Sequence, residues 1–472
     1  MSIRTLPCRI SPLAHAHVEI PDGLPSPKGA TAGAVMPSER TIWEREFQVS
    51  RLSQTMAVSR REKQGPRASS QGLHTVRLVD RIDPLWEIDW DSQFGGSDWR
   101  RVSVSRHRLT TDARGNLAVK TIEAFSPIAM LPNESYSENM MRLMALLFQF
   151  GCLTTSQMCS FMDTSLKGIS YAINRLYGLG LVERMTPSWV QTTTSARPQH
   201  GSGDIWRVNL RSDVVSEWLE GLSGTEKALL TGGRDASDLL HNGTFAYEHT
   251  LRHNLAVAEF GLRALETMPG IAGVWGEPFV QGDKFLSEIV RGSVNVRYVR
   301  GDAAVVTKDG AVVVVELTGV RDLRDSRSEH GSTLAARAAA WAAIAHLSDT
   351  PMSLVIVSIG GYSASRRISK HLRDNTEKEL GKYFANVSDK ERALSTIHLA
   401  SAQSWWPSAS AISRKFLTME AFSPFSKEYR ELAPADAAWD TTSPPVLNTV
   451  AALHTPAWAL SPVRPITAPE AA

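Results

Sequence analysis

RGDAAVVTKDGAVVVVELT, residues 300–318, holds two runs of small and β-branched residues on either side of Lys308-Asp309-Gly310. Val and Thr favour the pleated backbone, and Asp-Gly takes the positive φ that a tight hairpin turn requires. The stretch therefore predicts an antiparallel hairpin, 300–307 against 311–317. Its charges sit at the rim: Asp302 opens the first strand and Glu316 closes the second. Cross-strand pairing then brings both carboxylates near one sheet edge. A carboxylate ending a run of four valines is not explained by packing alone.

Outward from the hairpin, Leu334, Ala338, Trp341 and Ala345 recur at helical spacing and predict a helix over 332–346, followed by an apolar strand over 353–359 ending at Gly360-Gly361. Upstream, Leu251, Leu255, Ala258, Leu262 and Leu265 form the stripe of a helix over 247–266, flanked by Glu248 and Glu259, and a strand is expected at 274–280. The order αβββαβ is the core of restriction-endonuclease-like α/β domains, although similar orders occur elsewhere. Asp302 and Glu316, aided by Glu248 or Glu259, offer hard oxygen ligands for Mg²⁺, which would polarise a phosphodiester and generate a hydroxide. Arg366, Arg367, Lys370 and Arg373, on a helix expected over 363–384, make either a binding face or a solvated one.

Before this domain, Met140, Leu143, Met144 and Leu147 stripe a first helix (139–150). Hydroxyl caps precede a second (157–162), and Ile169, Ile173 and Leu176 stripe a third (165–179). Strands at 181–184 and 205–208 follow, so the order is that of a winged helix-turn-helix. The major groove admits one helix, and the third helix carries Lys167, Ser170, Asn174 and Arg175 off its apolar stripe as candidate DNA contacts. Arg197 and His200 lie in the long wing. The other reading of such a module is a docking surface for protein.

These features together resemble the PD-(D/E)XK phosphodiesterase superfamily, and more closely the replication-relaxation family of actinobacterial plasmids and mobile elements. The resemblance covers roughly residues 139–359 and includes the winged helix, a His-led helix at His249-Thr250-Leu251, the Asp-bearing hairpin and the Glu-Leu strand end. It implies that Asp302 and Glu316 are the metal-binding pair. Two departures stand out: Gly301 replaces the proline, and Thr318 replaces the lysine two residues after the glutamate. Arg337 is placed to substitute for that lysine; it can bind phosphate but cannot act as a base.

The totals set the frame. A chain of 472 residues exceeds one ordinary core, and a multidomain α+β and α/β protein is expected: arm (1–72), small β-rich segment (73–135), winged helix (136–218), α/β domain (240–390) and Pro/Ala-rich tail (424–472). The net charge of +2 leaves any nucleic-acid surface to local clustering. Arg60, Arg61, Lys63 and Arg67 make the arm locally basic, as a phosphate contact or a solvated linker. Cys8, Cys152 and Cys159 are too few for a disulfide framework and read as unpaired thiols, the latter two as core fillers. With no apolar core near the start and no run long enough to span a bilayer, a soluble cytoplasmic protein is expected. The expected function is binding of double-stranded DNA during replication or mobilisation of a plasmid, beside replication or mobilisation proteins, with a degenerate nuclease-like domain holding the DNA. Alternatives are an active Mg²⁺-dependent endonuclease or nickase, in which Asp302, Glu316, Arg337 and Glu259 are catalytic, and a non-enzymatic assembly factor.

Overall fold

The computed structural model describes residues 73–75, 104–107, 134–162, 164–187, 203–209, 213–222, 224–231, 250–287, 290, 299–319, 323, 333–406 and 411–436. The arm, the tail beyond 436, Glu248, His249, Arg197 and His200 lie outside these residues. Two short strands come first, β1 (Leu73–Thr75) and β2 (Val104–His107). Then α1 (Glu134–Phe150), β3 (Cys152–Thr154), α2 (Thr155–Phe161), α3 (Leu166–Gly178), β4 (Val182–Pro187) and β5 (Ile205–Val208) form one module. Its sheet has the order β2-β4-β5-β3.

The second helix begins earlier than its apolar residues suggest, because Thr154 and Gln157 form a reciprocal capping box. The Thr154 hydroxyl accepts the Gln157 amide at 3.1 Å and the Gln157 side chain accepts the Thr154 amide at 3.0 Å. Strand β3, which pairs with β5, was concealed in the sequence among these capping residues. Cys152 and Cys159 are free and buried, and burial raises their thiols to about 12 and about 11.

After α4 (Asp213–Glu220) and α5 (Gly224–Thr231) comes the long α6 (Leu251–Thr267). The strands of the larger sheet follow, with helices and one further strand, β11, between them: β6 (Ile271–Gly276), β7 (Ala303–Thr307), β8 (Val312–Gly319), α7 (Leu334–Leu347), β9 (Met352–Ile359), α8 (Gly361–Leu380), α9 (Val387–Leu394), β10 (Ile397–Ser401), β11 (Ala411–Ser413), β12 (Glu420–Phe422) and β13 (Tyr429–Glu431). Seven strands take the order β13-β12-β10-β9-β8-β7-β6, with β8, β9 and β10 parallel and both flanks antiparallel. The parallel centre is buried on both faces, which is why its strands are apolar runs. Val313, Val315 and Leu317 face α6, whereas Val312 and Val314 face α7 and α8.

Three boundaries need correction. The strand expected at 274–280 stops at Gly276, where Pro278, lacking an amide hydrogen, sits in a 3-10 turn over Glu277–Phe279. The α/β domain does not end at 390: β10, β12 and β13 continue the sheet, and β13 falls inside the stretch read as tail. Strands of three to five residues carry too little periodicity to be read. Between β10 and β12, Trp405, Trp406 and Phe416 pack around Phe260 of α6 with centroids 5.9–6.4 Å from its ring, and the Trp405 indole donates to the Glu420 carbonyl of β12 at 3.0 Å. The segment read as a separate β element supplies β2 to the module sheet and β1 to a pair with β11.

The module and the large sheet also share one core, in which Phe150 and Phe161 continue into Phe260 and the α6-facing side of the sheet. Gly276 marks a close approach between them. A Cβ there would stand 2.1 Å from the backbone oxygen of Gln149 in α1. Gly276→Ala is therefore expected to lower stability by about 1–3 kcal/mol through overpacking, read as a lower urea midpoint. Gly273→Ala, with nothing within 4 Å of the new methyl, is the control. Equal losses in the two variants would refute the close-approach explanation. Among the described residues no helix is long and apolar enough to cross a membrane.

Candidate acidic site at the hairpin rim

The β7–β8 register ends with Ala303 opposite Val315, and the Asp302 amide also donates to the Val315 carbonyl at 3.0 Å, so Asp302 opens the first strand without a ladder partner of its own at Glu316. One of the Asp302 carboxylate oxygens accepts the Leu317 amide at 2.7 Å and lies 3.0 Å from His253 Nε2. His253 comes from the first turn of α6. On the other side, Thr333 caps α7 by accepting the Ala336 amide at 3.2 Å, which sets Arg337 one turn into that helix. Arg337 Nη2 then lies 3.6 Å from Glu316 Oε2.

The two carboxyls are driven apart electrostatically. Burial works to raise Asp302, but the charge and hydrogen bond of His253, the Leu317 amide and Arg337 together hold it below the usual carboxylate range. Burial pushes Glu316 up to about 8; Arg337 and His253 oppose the rise, and Asp302 and Glu277 add to it. Near neutral pH the site thus pairs an ionised Asp302 with a protonated Glu316. Glu316 Oε1 is buried with no hydrogen-bond partner among the described residues, and so is Arg337 Nε.

A hard cation is the natural guest of neighbouring carboxylates, and Mg²⁺ takes only one or two of them from a protein. The unmatched Glu316 oxygen suits that chemistry. Against it, Arg337 already stands beside Glu316 and His253 beside Asp302. Among the described residues no three His, Cys, Asp or Glu side chains gather within reach of one ion.

Of the residues singled out by sequence, Asp302, Glu316 and Arg337 come together. Glu259 does not join them. It lies six residues beyond His253, about 9 Å along the helix and on another face, and is fully buried against Arg263 Nε at 3.1 Å and Gln157 Nε2 at 3.2 Å. His253 and Glu277 went unread because neither belongs to a motif or to an apolar stripe. Gly301 has a local reason: a Cβ there would stand 2.5 Å from Val314 Cγ1 and 2.8 Å from Val280 Cγ1, so proline has no room. Thr318, in the place of the lysine, is buried.

On α3, Lys167 and Asn174 are exposed, whereas Ser170 and Arg175 are half-buried, and the Ser170 hydroxyl bonds back to the Leu166 carbonyl. Tyr171, exposed and spaced four residues from Lys167 and three from Asn174, shares their face and was not anticipated. No protein-family model, no curated protein and no solved structure matches the chain.

Proposed function

We propose that the chain is a double-stranded DNA-binding protein acting in replication or mobilisation of a plasmid or other mobile element. In this reading α1, α2 and α3 with β4 and β5 act as a winged helix, and the domain bearing Asp302 and Glu316 is a degenerate nuclease fold that holds DNA. The observation that carries it is the exposed face of α3, where Lys167, Tyr171 and Asn174 project beside one another while Ile169, Ala172, Ile173 and Leu176 are buried. One cation, one amide and one phenol on a helix of groove width are the groups that meet phosphates and base edges. Degeneracy is supported by the carboxylates being matched to Arg337 and His253, and the role in mobilisation rests on the family resemblance alone.

Fluorescence anisotropy with duplex DNA tests this. Lys167→Ala/Asn174→Ala is expected to weaken duplex binding about 10-fold or more and to reduce the salt slope by about 1. Absence of duplex affinity in the unmodified protein at low salt would leave the assembly-factor reading.

The unpartnered Glu316 oxygen favours a second reading, a Mg²⁺-dependent nuclease. Asp302 and Glu316 would hold the ion, which supplies charge stabilisation to the phosphodiester. Cleavage in Mg²⁺ or Mn²⁺ that disappears in Asp302→Ala would select it over the binding protein.

A further inference from the structure

Helix α8 carries a surface that the reading above does not use. Residues 361–373 contain Arg366, Arg367, Lys370 and Arg373 and no Asp or Glu, in a chain whose net charge is only +2. Tyr362, Arg366, Lys370 and Arg373 recur at spacings of four, four and three and so form one stripe, within roughly a quarter turn and about 16 Å long. All four are exposed, Tyr362 at 82%. The opposite face is apolar and buried through Ala364, Ile368 and Leu372.

Arg366, Arg367 and Arg373 have no ion-pair partner among the described residues. Lys370 meets Asp374 at 2.7 Å in a pair open to solvent on both sides, which exchanges readily for another anion. A solvated helix face ordinarily interleaves acids with bases at i,i+4. Here thirteen residues hold cations alone, beside a tyrosine ring left almost wholly in water.

We propose that this stripe binds single-stranded nucleic acid, with an unpaired base stacked on Tyr362 and the backbone phosphates on Arg366, Lys370 and Arg373. A protruding ring selects an unpaired base because duplex bases offer no free face, and guanidinium groups match phosphate geometry. The helix start adds to this, with Gly360 making no side-chain cap and no acid in the first turn. The strand preceding α8 runs parallel to β8, pairing Glu316 with Ile356 and Thr318 with Ser358, so Tyr362 follows the same C-terminal strand ends that carry Glu316.

Titration of the full chain with oligo(dT) tests the proposal. Binding is expected to weaken about 5- to 100-fold in Tyr362→Ala, with recovery in Tyr362→Phe. In Arg366→Ala/Arg373→Ala the salt slope is expected to fall by about 1.4, at roughly 0.7 per phosphate contact on a single strand. An unchanged thermal midpoint in each variant establishes that the fold is kept. Lys167→Ala/Asn174→Ala is expected to retain oligo(dT) binding, so this surface and the duplex reading fail or stand separately. Two results would overturn the proposal. One is no oligo(dT) affinity at low salt. The other is affinity lost in the arginine variant but intact in Tyr362→Ala, which marks a general polyanion patch that inorganic polyphosphate would fill equally well.

Discussion

Glu259→Ala is expected to destabilise the chain by about 3–5 kcal/mol, because truncating one partner of a buried ion pair strands the charge of the other. Glu259 and Arg263 are both fully buried, and the Arg263 guanidinium also lies over Trp406 at 5.6 Å. The carboxylate further accepts from Gln157, whose amide nitrogen also donates to the Leu255 carbonyl at 3.0 Å while its oxygen completes the α2 capping box. One side chain of the three-helix module is thereby bonded to the helix beneath the large sheet. Loss of Glu259 should loosen that junction as well as the local pair. Urea denaturation followed by tryptophan fluorescence measures the effect, with Lys370→Ala as the reference for an exposed pair, expected near 0–1 kcal/mol. Similar losses in both variants would show that the buried network contributes no more than a surface contact.

Stability should fall as pH rises from about 4.5 to about 8, through Glu316. Its value in the folded chain, about 8, lies above the ordinary 4.5. The folded state therefore holds a proton that the unfolded chain has released, and each step upward in pH within this window favours unfolding. Across the whole window the loss approaches ~5 kcal/mol in order of magnitude. Asp302 acts in the opposite direction. Its carboxyl is held below 3.8, so its contribution is complete above the ordinary carboxylate range and is lost only as pH falls through the lowered value. Glu316→Gln keeps the neutral, uncharged shape at every pH. It should leave stability nearly flat across the window and make the variant the more stable protein at about pH 8–9. Denaturation midpoints measured across the window compare the two proteins. Parallel profiles would mean that Glu316 is already ionised in the folded chain, with Arg337 offsetting its burial in full.

Much of the large sheet was legible in the hairpin itself. The Asp309-Gly310 turn and the two apolar runs set the β7–β8 register, and that register carries Asp302 and Glu316 to the same end of the hairpin. Arg337 was found from its place on the helix that follows. Glu259 misled because it carries the right chemistry on the right helix: a stripe of leucines tells which face is covered, but not which element covers it. The terminal strands β12 and β13 were missed for a different reason, being three residues each, with β13 exposed and held by its ladder to β12.

The sequence by itself determined the strand pair, its turn, the helical stripes and the placing of two carboxylates at one end of the hairpin, because each depends on the backbone preferences and periodicity of adjacent residues. The tertiary structure alone decided that His253 holds Asp302 from 49 residues away, that Gln157 reaches Glu259 across 102, and that the module and the sheet share one core. Such contacts follow from how whole elements pack against one another, and packing is set by the combined shape and volume of side chains distant in the chain.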